Sequence, residues 1–175
     1  VKLDDTGQTV YDATGHELVK LGAQPGGGYG LSVRNAAGKM ARVSAPVADN
    51  VLTGLSTSST TFATLSGPSV TVTVGAAGQA LVIASSEVGI DGGTTANYKQ
   101  GFVGVQLDGG TTETLIGVSQ SPDKSSYVTG IQVTGTNAYL WTGLSQGSHT
   151  FKCLYLSKNG QTIHFSLNSL IVIPY

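Results

Sequence analysis

The chain has 175 residues, of which only 11% are charged, and its formal net charge is −1. A near-neutral chain lacks the basic surface that nucleic-acid binding requires. It also lacks any run of roughly 18 apolar residues that would predict insertion into a membrane. Glycine contributes 25 residues. Together with abundant Thr, Ser and Val, this composition predicts an all-β protein, because β-branched residues suit a pleated surface and glycine suits tight turns.

Charge is unevenly distributed along the chain. Residues 1–50 hold five basic and five acidic side chains, whereas residues 51–175 hold four basic and five acidic ones. The larger part therefore presents mostly hydroxyls and amides, which suits neutral polar partners such as glycans, or packing against copies of the chain. The single cysteine, Cys153, excludes an intrachain disulfide and is predicted to be a buried structural residue. Since the chain begins at Val1 without an initiator Met or a signal peptide, we expect it to be the C-terminal piece of a longer protein.

The first fifty residues repeat a short hairpin pattern. Asp/Asn-x-x-Gly turns occur as "DDTG", "DATG" and "NAAG", and strands are predicted near 8–13, 17–21, 29–35 and 39–44. The apolar residues of this segment are few and include Val10, Leu18, Leu21, Leu31, Val33 and Val43. They cannot form a core, and a lone hairpin is marginal in water. We therefore expect residues 1–50 to form a stalk or collar that is stable only against other chains.

The next segment changes character. Residues 45–57 begin with "AP" and then show a mild apolar spacing, which indicates a linker or a short helical turn. We place this linker at 51–58, between the stalk and a folded domain at 59–175.

From residue 59 onward the pattern is typical of a β-sandwich. In "SVTVTV", Val70, Val72 and Val74 alternate with Ser and Thr, which predicts that the three valines are buried. "KNGQ" near the C-terminus predicts a type I′ hairpin. Long strands separated by turns, with no helical period, predict a double-sheet jelly roll. The predicted strands are 59–65, 69–75, 79–87, 101–107, 113–119, 126–134, 137–142, 149–157 and 162–173.

Several of these segments together resemble a known family. "STTFATLSGPSVTVTVGAAGQALVIAS" and "WTGLSQGSHTFKCLYLSKNGQTIHFSLNSLIVIPY" resemble the C-terminal jelly-roll domain of minor tail proteins from phages of actinobacteria. "TVYDATGHELVKLG" with the later "GGYGLSV" resembles the collar segment that precedes that domain. The resemblance covers nearly the whole chain.

The resemblance implies a homotrimeric fibre or spike of the virion tail. Its tip would be a tumour-necrosis-factor-like jelly roll, exposed for attachment to the host surface. Other tail proteins would join through the N-terminal side. The family offers no catalytic residues to transfer to this chain.

The histidines and turn carboxylates give weak signals for metal. His149 and His164 lie on strands predicted to form one hairpin, so capping or cross-strand pairing is a simpler interpretation than a metal site. "DGGTT" occurs twice, led by Asp91 and Asp108, and each copy is first a turn sequence and only second a calcium ligand. No metal or cofactor is predicted.

An enzyme is not expected. A glycanase needs two carboxylates facing each other across a cleft, roughly 5–9.5 Å apart. The acidic residues of the larger domain are each isolated in the sequence: Glu87, Asp91, Asp108, Glu113 and Asp123. The Gly-x-Ser-x-Gly pattern occurs once, as "GLSQG" at 143–147, but no acidic residue follows it, so the Ser…Asp/Glu…His order of a hydrolase triad is missing.

Aromatic residues are the better candidates for a glycan site, because apolar sugar faces stack on rings. "VGIDGGTTANYKQG" is a long polar connection, and long loops are often functional. We expect a ligand site at Asn97, Tyr98 and Lys99, with Tyr127 from a second loop. Tyr98 packing against a neighbouring subunit is the alternative.

"NAYLWTG" supplies a second pair of aromatic candidates. It places Tyr139 and Trp141 on one face of a strand. For Trp141, a place in the core or in a trimer interface is the favoured interpretation.

Two functions of different classes remain open at this stage. The first is a trimeric tail tip that binds a host-surface receptor, expected to be a cell-wall glycan. The second is a structural tail or capsid-decoration protein whose whole role is trimerisation. A glycan depolymerase is a third, less favoured candidate, since such phage spikes are usually long β-helices.

Overall fold

The computed structural model describes residues 2–4, 7–23, 29–34, 40–42, 45–75, 77–90, 99–120 and 131–175. These residues form fourteen β-strands, all paired antiparallel, and the described ranges contain no helix. The all-β prediction is confirmed. The described chain also has no helix long and apolar enough to cross a membrane.

The N-terminal strands form a sheet of their own. They are β1 (Lys2–Asp4), β2 (Gly7–Tyr11), β3 (Glu17–Ala23), β4 (Tyr29–Arg34) and β5 (Met40–Arg42). The sheet order follows the chain, β1-β2-β3-β4-β5, so each strand pairs with the next. We call it the collar sheet. Its strands match the repeated hairpins that the sequence predicts.

The "DATG" turn shows why these hairpins form. The Asp12 carboxylate accepts hydrogen bonds from the backbone N–H groups of Thr14 at 2.8 Å and His16 at 2.9 Å, and from the Thr14 hydroxyl at 2.7 Å. These bonds lower the pKa of Asp12 to about 2. Gly15 has a φ of 87°, which is unfavourable for other residues. An Asp that closes its own turn therefore fixes the reversal between β2 and β3.

The collar sheet leaves apolar side chains exposed. Val10, Val19 and Val33 are cross-strand partners on one face, and Leu21 shares that face. Leu21 is 58% exposed and Val33 is 39% exposed. Part of the apolar face of the collar sheet is therefore open to solvent.

The remaining strands form two further sheets. They are β6 (Val47–Val51), β7 (Leu55–Thr57), β8 (Ser69–Val74), β9 (Gln79–Ile90), β10 (Lys99–Leu107), β11 (Thr112–Gln120), β12 (Ile131–Thr142), β13 (Gly147–Ser157) and β14 (Ile163–Pro174). One sheet has the order β11-β10-β13-β8 and is called the β8 sheet. The other, called the β9 sheet, has the order β12-β9-β14-β6, and β7 pairs with β14 beside it.

The core lies between these two sheets. Val70, Val72 and Val74 are 2%, 4% and 0% exposed, which confirms the predicted alternation. Aromatic pairs join the sheets: the ring centroids of Trp141 and Phe151 lie 5.4 Å apart, and those of Tyr155 and Phe165 lie 4.8 Å apart. Cys153 is 1% exposed, as predicted for a structural cysteine.

The segment at 45–57 corrects one prediction. It forms β6 and β7 instead of a linker or a helical turn, and both strands pair with β14. The sandwich therefore begins at Val47, before the predicted linker at 51–58. The mild apolar spacing reflects an edge strand that is only half buried, with Val47 39% exposed.

Three predicted strands also differ from the structure. Residues 59–65 contribute a single bridge, Ala63 to Tyr155, because hydroxyl side chains of the segment bond its own backbone, as in Ser59 Oγ to Thr61 O at 2.7 Å. The strands predicted at 126–134 and 137–142 are one continuous strand over the described part, β12. Residues 126–130 lie outside the described residues.

The "KNGQ" turn does not make a hairpin. Gly160 has a φ of 70°, as a turn glycine should, but β13 and β14 belong to different sheets. A turn signal predicts a reversal of the chain and does not choose the hydrogen-bonding partner. His149 and His164 are therefore not cross-strand neighbours: His149 pairs with Val72 and His164 with Gly89.

Candidate functional site

The strand register gives the sandwich two distinct ends. Val47, the first strand residue after the collar sheet, pairs with Val172, which pairs with Val82, which pairs with Tyr139. This row marks the end where the chain enters the sandwich, called the proximal end. Tyr139 therefore lies close to the collar side of the chain.

The opposite end is marked by a second row. Ile131 pairs with Ile90, and Ile90 pairs with Ile163. Ile90 lies eight positions beyond Val82 in β9, a span of about 26 Å of extended strand. We call this the distal end.

The β8 sheet reaches the same distal end. A Cβ atom placed on Gly101 would lie 2.6 Å from Ile163 Cγ2 and 3.0 Å from Val88 Cγ1, so β10 crosses the start of β14 there. Lys99, two residues before Gly101, pairs with Gln120. The four residues that flank segments 91–98 and 121–130 (Ile90, Lys99, Gln120 and Ile131) are thus all at the distal end.

The predicted loop site falls largely on those two segments. Asn97, Tyr98 and Tyr127 lie outside the described residues. Lys99 is described, and it is the partly buried first residue of β10. The register therefore gives the predicted loop residues a common point of attachment at the distal end.

The described surface of the distal end is rich in amides and hydroxyls. Gln100 Nε2 donates to Ser119 Oγ at 3.2 Å, and the Lys158 N–H donates to the carbonyl of Gln100 at 3.0 Å. Such groups exchange hydrogen bonds with neutral hydroxylated ligands without having to separate ion pairs.

The other two predicted residues lie at the proximal end. The rings of Tyr139 and Trp141 meet edge to face with centroids 4.5 Å apart, and Trp141 meets Phe151 in the same way. Trp141 is 8% exposed and belongs to the core, whereas Tyr139 is 39% exposed. Of the three predicted residues that the structure describes, Lys99 therefore lies at the distal end, and Tyr139 and Trp141 lie at the proximal end.

A histidine–carboxylate pair at the proximal end escaped sequence reasoning. His149 Nδ1 lies 2.6 Å from Asp108 Oδ2, and His149 Nε2 lies 2.8 Å from the carbonyl oxygen of Ser145. Both ring nitrogens face oxygen acceptors, so the doubly protonated ring satisfies both contacts. The pair ties the turn after β10 and the turn after β12 to β13.

Folding shifts the pKa values of His149 and Asp108 in opposite directions. Burial lowers the pKa of His149, but the bond to Ser145 and the bond and charge of Asp108 outweigh it, so the pKa is raised. Burial raises the pKa of Asp108, but the Thr150 N–H and His149 outweigh it, so the pKa is lowered. The Asp-Gly-Gly turn was the available sequence signal, but its histidine partner is 41 residues away.

The remaining candidates for metal binding or nucleophilic chemistry that the structure describes fit structural roles. Asp108 leads a turn in which the Gly110 N–H donates to the Leu107 carbonyl at 2.8 Å, which fits the turn interpretation of "DGGTT". Asp91 lies outside the described residues. Within the described ranges no group of three or more His, Cys, Asp or Glu residues could hold a metal ion. Burial raises the pKa of Cys153 to about 12, which makes it a poor nucleophile.

Comparison with known proteins gives little guidance. No protein-family model and no curated protein matches the chain. Among solved structures, an exo-β-1,3-galactanase from Phanerochaete chrysosporium, crystallised with galactose, is similar over 81% of this chain at 18% identity, with a TM-score of 0.25. The match spans 32% of that enzyme's chain. A similarity at this level assigns neither a fold nor an activity to this chain.

Proposed function

We propose that the protein is the trimeric tip of a phage tail fibre or spike, which binds a host-surface glycan. The sandwich is, in this proposal, a tumour-necrosis-factor-like jelly roll. The strand pairing supports it: β6 pairs with β14, β8 with β13, β9 with β12 and β10 with β11. When the short strand β7 is left out, the eight strands of the sandwich pair first with last, second with seventh, third with sixth and fourth with fifth. This is the pairing of one long hairpin rolled into two sheets.

The collar sheet supports the fibre part of the proposal. A single-layer sheet with exposed Leu21 and Val33 is not self-sufficient, whereas three chains wound together would cover its apolar face. A collar followed by a jelly roll is also the arrangement that the resemblance to minor tail proteins implies. Other tail proteins join, in this proposal, through the N-terminal side.

The polarity of the sandwich is the observation that carries the receptor-binding role. The chain enters at the proximal end, and the segments at 91–98 and 121–130 both attach at the distal end. A tip held to a virion by its N-terminal side presents its distal end outward. Three weak glycan sites there would act together, because binding at one raises the effective concentration at the others.

Two alanine variants test which end binds. Tyr98→Ala removes the predicted distal ring, and Tyr139→Ala removes the exposed proximal ring of the aromatic series. Both are compared with wild type for adsorption to host cells and for binding to fragments of the host cell wall. We expect Tyr98→Ala to lose adsorption as an intact trimer, and Tyr139→Ala to keep it.

Other outcomes contradict parts of the proposal. Loss of adsorption only with Tyr139→Ala moves the site to the proximal end. A Tyr98→Ala trimer that falls apart assigns Tyr98 to the interface. If the wild-type trimer binds neither host cells nor any cell-wall fragment, the structural tail or decoration role replaces receptor binding.

A further inference from the structure

The outer face of the β9 sheet carries aligned apolar rows. Leu140 of β12 pairs with Leu81 of β9, which pairs with Ile173 of β14. Two residues further along β9, Ile83 has Ala138 and Ile171 as its partners. Cross-strand partners share a face, so these rows form one continuous surface. We call it the apolar patch: Leu81, Ile83, Ala138, Leu140, Ile171 and Ile173.

The apolar patch faces away from the core. Its residues alternate with Val82, Ala84, Leu170 and Val172, all 0% exposed. Leu140 is 48% exposed, so it is open to solvent in the single chain. The solvent face of an antiparallel sandwich is normally polar, and a contiguous apolar area there marks an interaction surface.

Polar rows border the patch on both sides. Thr142 and Gln79 are partners at its proximal edge, and Thr136 and Ser85 are partners at its distal edge, joined by a 3.0 Å hydroxyl–hydroxyl hydrogen bond. The nearest acidic residue on this face is Glu87, beyond the distal border, where it accepts a 2.6 Å hydrogen bond from Ser166. An apolar centre with a polar rim is the usual composition of a protein–protein interface.

The character of the patch favours another copy of this chain as its occupant. A glycan requires hydrogen-bonding groups, and the six side chains of the patch offer none. An anionic membrane surface requires basic residues, and the patch carries none. Two such uncharged faces meet without like-charge repulsion. The patch also lies in the proximal half, on the side from which the collar sheet connects, and the collar sheet has an uncovered apolar face of its own.

We propose that the apolar patch is the surface through which copies of the sandwich associate. This rests on the trimer in the proposed function and goes beyond it by naming the face. Association in the proximal half continues the contact of the collar sheets, and it leaves the distal end free for a ligand.

Charge substitution at one exposed position tests the proposal. Leu140→Lys places an ammonium group in the contact, and Thr136→Lys, four residues earlier on the same face of β12, is the matched control. Both positions are exposed in the single chain, so both variants should keep its fold. The molar mass of the full chain is measured by light scattering over a range of concentrations, with far-UV circular dichroism as a check of folding.

We expect a wild-type mass near three times 17.8 kDa. Thr136→Lys should match it, and Leu140→Lys should raise the concentration of half-dissociation by at least ~tenfold, because an unpaired charge is buried in the contact. A monomeric wild type would overturn the trimer and this surface together. A trimeric wild type whose Leu140→Lys and Ile173→Lys variants both associate normally would overturn the surface and leave the trimer standing. If Leu140→Lys and Thr136→Lys weaken association equally, the apolar patch is not the surface that determines association.

Discussion

The collar sheet and the sandwich contain the same kinds of turns and strands, but they differ in how completely their side chains are buried within one chain. Both consist of antiparallel strands joined by Asp- or Gly-containing turns. In the sandwich, alternate residues such as Val70 and Val82 meet a second sheet and are almost fully buried. In the collar sheet, the buried residues among those described are Thr9 and Ser32, while Leu21 is open to solvent. Turn chemistry therefore forms the strands, and only a second layer makes them stable.

The largest test of this difference is deletion of a core ring. Phe151 is 0% exposed and packs against Trp141 across the two sheets. Phe151→Ala should lower the free energy of unfolding by about 3–5 kcal/mol through lost burial and an internal cavity. The matching change Leu21→Ala in the collar sheet should cost less than ~0.5 kcal/mol in the dissociated chain. Chemical denaturation at low protein concentration measures both, and comparable losses would contradict the comparison.

Hydrogen exchange tests the two regions within one molecule. Backbone amides of β3 should exchange at least ~100-fold faster than those of β9 in the dissociated chain, since only β9 is covered by a second layer. Raising the protein concentration should slow exchange in β3 far more than in β9, because the proposed association would stabilise the collar sheet. Mass spectrometry of peptic fragments follows both strands. Equal protection of both strands at low concentration would show that the collar sheet is stable by itself.

Added methyl groups test how closely the sandwich layers pack. A Cβ on Gly101 would meet Ile163 and Val88 of the opposing sheet, whereas one on Gly54, between β6 and β7, would meet nothing within 4 Å. Gly101→Ala should therefore destabilise the sandwich by about 1–3 kcal/mol, and Gly54→Ala should be close to neutral. Thermal unfolding of the two variants measures this contrast. A neutral Gly101→Ala would mean that the two sheets yield easily at that point.

The smallest expected effect concerns the pH dependence of stability, which has opposite signs for His149 in the sandwich and Asp12 in the collar sheet. The pKa of His149 is raised by folding, so its contribution to stability is full below its unfolded pKa and is lost as the pH rises through the folded value. The pKa of Asp12 is lowered to about 2, so its contribution is present above its unfolded pKa and is lost as the pH falls through the folded value. The melting-temperature gap between wild type and His149→Gln should therefore narrow from pH 5.5 to pH 9. A gap that widens with pH would contradict the charged His149–Asp108 pair.

The sequence predicted the elements better than their partners. Alternation at Val70, Val72 and Val74 gave both the strand and its buried face, because period-two burial is a local property. The edge strand β6 was missed because its side chains are at most partly buried, which leaves too weak an alternation of apolar and polar residues. The "KNGQ" reversal was recognised, but the choice between one sheet and two depends on packing that no local motif encodes.

The candidate site shows the same limit. Tyr139 and Trp141 were correctly placed on one face of a strand, and Trp141 proves to be a core residue. The strand register alone shows that Tyr139 lies near the point where the chain enters the sandwich. It also shows that the residues flanking the segments of Tyr98 and Tyr127 lie at the distal end. The contact between His149 and Asp108 depends on two turns that are distant in sequence.

The pairing of β6 with β14 has a consequence for how the chain acquires its structure during synthesis. Val47 meets Val172, a residue made 125 positions later, and β14 lies between β9 and β6 in the completed sheet. The β9 sheet therefore cannot close until β14 has left the ribosome. Such long-range closure is slow, because the loss of loop entropy precedes the contacts that compensate for it. The nascent chain thus emerges with its collar strands first and the last strand of its core much later. In the proposed trimer, the collars of neighbouring chains would have time to meet before either sandwich is complete.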